Sequence, residues 1–239
     1  MISNKLKALF AAFILISAIV SGQTPDEIIA KYFQAVGGKD MINKINSLYL
    51  ESKVEIMGDP STKKVTIING KGYRQDLELM GSSITTCYTD KGGWTLSKIT
   101  GDTEPVPMKD AEFNLGKEQI FIGGSLINYA GNGYKAELMG NEAVGAVNAF
   151  KIKLTAPDNM VAFYYFDPET GLLLKTNKKQ FVQGQLADVS ITYLDYRQTD
   201  GYTLPYEVSS DIGGMYQLVD FITDVRINAQ TDPAILTKP

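Results

Sequence analysis

One cysteine, three arginines and no histidine set the limits on any chemistry this 239-residue chain could perform. Without histidine there is no Ser-His-Asp or Cys-His arrangement, and no histidine-based metal site. Cys87 is the only cysteine, so neither an internal disulfide nor a multi-cysteine metal site can form within the chain. It lies in Thr85-Thr86-Cys87-Tyr88, inside a strand-like pattern and with no base to activate it, which predicts a buried, inert thiol. The aspartates Asp158, Asp167 and Asp200 fall at turns, where the side chain usually bonds its own backbone. Asp102 and Glu104 are close enough in sequence to pair, but their surroundings read as a solvated loop. Gly70-Lys71-Gly72 lacks the remainder of a phosphate-binding loop and reads as a turn. Arg74, Arg197 and Arg226 are scattered; one of them could hold an anion, although solvent-facing roles are the default. Catalysis needs convergent groups of suitable pKa, and no such set is legible. The expectation is a non-enzymatic protein with no metal and no cofactor.

Composition points the same way. Lysine and arginine total 23 against 27 acidic residues, a net charge of −4, which argues against a nucleic-acid partner because phosphate recognition needs a basic surface. Hydrophobic residues make up 44% of the chain and charged residues 21%, the proportions of an ordinary globular domain.

Residues 1–22 read as an export signal. Lys5 and Lys7 form a positive start, Ala8 to Val20 is apolar except for Ser17, and Val20-Ser21-Gly22 offers a cleavage site before Gln23. The apolar run is too short for a bilayer core, which needs about 20 residues. No later stretch is long and apolar enough to span a membrane, so the mature chain 23–239 is expected to be a single soluble domain in the periplasm. No cysteine lies near the cut to be acylated.

Thr24-Pro25-Asp26-Glu27 is a helix start: threonine caps, proline takes the first helical position, and glutamate completes a capping box. Ile28, Ile29, Tyr32, Phe33 and Val36 then recur at helical spacing, and Gly37-Gly38 stops the helix before a second short one near Lys39 to Ile45. From Ser47 the period changes to two. Strands are predicted at Leu48–Ile56, from Val65, and then in succession to Asn228, separated by turn residues such as Asn69-Gly70, Asp90-Lys91-Gly92-Gly93 and Asp200-Gly201. The Gly58-Asp59-Pro60-Ser61 stretch reads as a turn. Strands joined by such short links must be antiparallel, giving one large meander. Residues 105–133 interrupt it. Pro105 and Pro107 break strand character, Asp110 to Gln119 has helical composition, and Ile120 to Tyr129 is apolar but hinged at Gly123-Gly124. This segment is predicted to lie over the sheet as a partly helical excursion.

Several ordered stretches resemble the exported Bacteroidetes-type proteins of the outer-membrane lipoprotein-sorting (LolA/LppX-like) superfamily. They are Asp26 to Tyr32 with Val36 to Lys39, Asp90 to Trp94, Glu137 to Glu142, Tyr165 to Leu172, and Tyr196 to Tyr206. The resemblance implies a mainly β fold: a strongly curved antiparallel sheet, a half-open β-barrel, with helices over its concave face. It also implies carriage of lipid or lipoprotein acyl chains in an apolar cavity, with envelope membrane proteins as candidate partners. On this reading Ile29, Phe33, Trp94, Phe121, Ile122, Leu126 and Tyr129 are expected to line the cavity. Arg74 is the candidate for the arginine that holds the superfamily's lid closed. A lined cavity and a solid core use the same side chains. A non-catalytic structural or surface-interaction protein is therefore the alternative.

Overall fold

The computed structural model describes residues 23–79, 81–182 and 184–237. The predicted export signal, residues 1–22, lies outside them. Helix α1, Pro25–Ala35, begins with the expected capping box. Thr24 Oγ1 accepts from the Glu27 amide at 3.3 Å, and Glu27 Oε2 accepts from the Thr24 amide at 2.8 Å. The second of these bonds, favouring the ionised carboxyl, holds Glu27 below the usual carboxylate range. Helix α2, Lys39–Lys44, follows a break at Gly37, whose φ of +115° and close approach to the Gly201 carbonyl leave no room for a Cβ.

The strands form two meanders. The first comprises β1 (Ser47–Ile56), β2 (Asp59–Ile68), β3 (Gly72–Leu79), β4 (Ser82–Thr89), β5 (Gly92–Ser97) and β6 (Val106–Pro107). The crossing segment then carries helix α3 (Asp110–Gly116) and two 3-10 turns, Lys117–Ile120 and Gly124–Leu126. The second meander comprises β7 (Lys135–Val144), β8 (Val147–Thr155), β9 (Val161–Phe166), β10 (Leu173–Val182), β11 (Gln185–Thr199), β12 (Tyr202–Ile212) and β13 (Tyr216–Ile227). A last 3-10 turn, Pro233–Leu236, ends the described chain. All pairings are antiparallel, and β1 against β13 joins the meanders into one 13-stranded sheet with β6 and β7 at its edges.

Two expectations are corrected here. The sheet is open: it is not the strongly curved, half-open barrel implied by the resemblance. Closure would require β6 and β7 to pair. β6 is only two residues long, and Pro105 and Pro107 have no N–H to donate, so both edges stay free. The second correction concerns Asp59-Pro60, which already belongs to β2: the turn is Met57-Gly58 alone, with φ of +54° and +89°. Pro60 is tolerated because β3 pairs with β2 only from Thr62 onward, so no ladder bond is lost there.

Strand alternation divides the sheet into two faces. One face receives α1 and the crossing segment. Ile29, Phe33, Ile42, Leu48, Ile122, Leu126, Ile152 and Phe166 belong to its main buried cluster, and Val65, Tyr73, Tyr88 and Ile120 form a second. Because β6 and β7 are consecutive in the chain yet lie at opposite edges, residues 108–134 must cross this face. That topology puts a lid over the sheet.

Candidate functional site

The crossing segment is anchored at defined points. Gly116 sits so close to the Tyr88 ring that a Cβ could not be accommodated. The Gly70 amide donates to the Ile120 carbonyl at 2.8 Å, and Asn69 Oδ1 accepts from the Ile122 amide at 3.1 Å. The Asn69 side chain also donates to the Ile45 carbonyl at 2.9 Å, so one asparagine ties the segment to the α2–β1 junction. Ile122 and Leu126 then enter the main core. Gly123, at φ +99° and close against Phe33 and Ile127, makes the bend between them.

Beyond these anchors the segment stands off the sheet. A cavity of about 380 Å³ remains between residues 114–126 and strands β9 to β12, within the size range of small-molecule sites. Its walls include Tyr32, Leu126, Tyr164, Thr176, Lys178 and Tyr193. Burial pushes the Tyr164 and Tyr202 hydroxyls up to about 12 and raises Tyr32 and Tyr193 as well, so these hydroxyls stay protonated. On one wall Glu118 Oε1 accepts from the Tyr134 hydroxyl at 2.8 Å, while its buried Oε2 has no hydrogen-bond partner among the described residues.

Lys178 enters the cavity through a bulge. In β10 the register against β9 shifts between Leu173 and Lys175. Leu173 opposes Phe166, and beyond the bulge Thr176 opposes Tyr164, so Thr176 and Lys178 fall on the cavity face. Lys175 and Asn177 fall on the other face, where Asn177 donates to the Tyr165 hydroxyl at 3.2 Å. Burial alone lowers the Lys178 ammonium to about 8.

The residues proposed from sequence separate into three places. Ile29, Phe33 and Ile122 are core side chains, between 1% and 2% exposed, and Leu126 belongs to that core while also facing the cavity. Phe121 lies over Gly70 against the second cluster, and Tyr129 packs on the main one with its hydroxyl donating to Asp26. Arg74 and Trp94 lie on the opposite face of the sheet. Arg74 pairs with Asp76 at 2.8 Å, donates to the Ile235 carbonyl at 2.9 Å and stacks over Trp94. The arginine therefore holds down the C-terminal 3-10 turn. Cys87 shares that face at 0% exposure, its thiol pushed up to about 11 by burial. Of the residues proposed from sequence, Leu126 alone borders the cavity. Sequence reading passed over Thr176 and Lys178, which lie in the polar run Lys175 to Gln180, where hydrophobic alternation gives no signal of which face is buried.

Among the described residues no group of three or more His, Cys, Asp or Glu side chains could hold a metal ion, and no helix is long and apolar enough to cross a membrane. The fold and site define a broad open antiparallel sheet, crossed on one face by a partly helical segment over a small tyrosine-walled cavity. Solved structures with this architecture include a LolA superfamily protein from Nitrosomonas europaea, 13% identical with a TM-score of 0.59, the match covering 89% of this chain and 97% of that one. A DUF1329 family protein from Desulfovibrio piger is 11% identical with a TM-score of 0.61, covering 90% and 98%. A domain assigned to the outer membrane lipoprotein-sorting proteins, from Vibrio parahaemolyticus, is 10% identical with a TM-score of 0.59, covering 89% and 97%. At such identities the likeness is one of fold. No family model matches the chain, and no curated protein matches it in sequence.

Proposed function

We propose that this chain is a non-catalytic carrier of the periplasm that shelters an acyl chain of a lipid or lipoprotein beneath the crossing segment. The observation that carries this reading is the cavity of about 380 Å³ on the face that the segment crosses. Burial of each methylene group is worth roughly 0.8 kcal/mol, so an apolar chain binds there without a strong polar contact. The volume lies near the lower end of the range for ligand sites, which suits one chain better than several. The fold shared with a LolA superfamily protein and a lipoprotein-sorting domain supports the same reading, as does the export signal read in residues 1–22. The alternative is a structural or surface-interaction protein, favoured by the solid core that Ile29, Phe33 and Ile122 help to fill.

Native mass spectrometry of the protein purified from its own envelope, followed by solvent extraction, separates the two. The carrier reading expects a co-purifying lipid or lipoprotein that is lost in Ala162→Phe, which fills the cavity from β9 without adding charge. Circular dichroism should show that variant folded. Protein that carries nothing, and takes up nothing when incubated with envelope lipids, would leave the structural reading standing.

A further inference from the structure

The cavity contains a cation that the fold does not use. Lys178 makes no ion pair or hydrogen bond among the described residues, whereas each of the other charged side chains at the cavity makes at least one. Lys179, one residue on and turned to the other face, pairs with Asp188 across β11 at 2.8 Å. Lys117 donates to Asn114 Oδ1 at 3.1 Å, and Asp158 accepts from the Met160 amide at 3.1 Å. Glu118 accepts from the Tyr134 hydroxyl through Oε1, and its buried Oε2 has no partner among the described residues. Leu173 and Lys178 both border the cavity and lie about 16 Å apart along β10, at about 3.3 Å per residue. An extended acyl chain of medium length covers that span. Leu173 and Tyr202 line the far end, and the single free ammonium the near one.

We propose that the cavity takes an amphiphile with one acyl chain and an anionic head group, a carboxylate or a phosphate, which pairs with Lys178. This rests on the carrier reading and adds the head-group chemistry to it. An anion at this position would give the half-buried ammonium the partner that the protein does not supply, and a charge pair with less water around it is stronger than one at the surface. An uncharged amphiphile of the same length would leave the ammonium unpaired, and a cationic one would be repelled.

Isothermal titration of the delipidated protein at neutral pH tests this with four probes of one chain length, each below its micelle concentration: dodecanoate, dodecyl phosphate, dodecanol and dodecyltrimethylammonium. At least one anionic probe should bind tenfold or more tightly than dodecanol, and the cationic probe should bind weakest. The ranking of dodecanoate against dodecyl phosphate identifies which head group the site prefers. In Lys178→Met the preference for the anion should fall to within about twofold while dodecanol still binds, and Lys178→Arg should keep the preference. If dodecanol binds the wild-type protein as tightly as the anions, the head-group proposal fails and the carrier reading survives. If none of the four binds, both fail. The wild-type comparison decides the matter even if a Lys178 variant does not fold.

Discussion

Replacing Lys178 by methionine should make the ligand-free protein more stable. The side chain keeps its length and loses an ammonium that burial has lowered from 10.5 to about 8 and that has no ion pair among the described residues to offset the cost. At about 1.4 kcal/mol per pKa unit, this burial costs the folded state about 3 kcal/mol at neutral pH, an upper bound because the side chain is not wholly enclosed. The sign follows from proton uptake. Between about pH 8 and 10.5 the unfolded chain binds the Lys178 proton and the folded chain does not, so wild-type stability rises with pH across that window. The penalty is fully present below pH 8 and fades toward 10.5. The buried tyrosines Tyr164 and Tyr202 titrate at higher pH in the folded state, pushed up to about 12. Because the tyrosines lower stability in alkaline solution for both proteins, the difference between variant and wild type is the quantity to measure. Urea unfolding followed through Trp94, the only tryptophan and 4% exposed, reports it directly. Lys178→Met should be more stable than wild type by about 1–3 kcal/mol at pH 7, and that gap should shrink by roughly half or more at pH 9.5. A variant less stable than wild type at pH 7, or a gap unchanged at pH 9.5, would refute the reasoning.

Two further outcomes are expected. Cys87, fully buried with its thiol pushed up to about 11, should react slowly with a thiol reagent in the native protein at neutral pH and rapidly in urea; fast native labelling would contradict the packing described. Gly37→Ala should lower the urea midpoint by an amount equivalent to at least about 1–3 kcal/mol, since it strains a positive φ and pushes a Cβ into the Gly201 carbonyl; an unchanged midpoint would show that the α1–α2 break is not held there.

Helix α1 and the hairpins were legible in the sequence because their causes are local. Thr24, Pro25 and Glu27 satisfy the first backbone amides of the helix within one turn, and the Ile28–Ile29–Phe33 stripe needs only the 3.6-residue period. Most strands likewise announce themselves through alternation and turn residues, and the excursion after Pro105 through the loss of both. Tertiary structure alone decided three things. The pairing of Leu48 with Ile227 joins the two meanders through residues far apart in the chain, and no local pattern encodes which distant strand completes a ladder. The open edges follow from that order together with a two-residue β6. The cavity cation was hidden by the β10 bulge: simple alternation from Leu173 puts Lys175 and Asn177 inward, and one extra residue moves Thr176 and Lys178 there instead. A strand's side chains alternate with a period of two, so a single inserted residue exchanges its faces. That is why the sequence identified the strand, while only the fold determined which of its lysines faces the cavity.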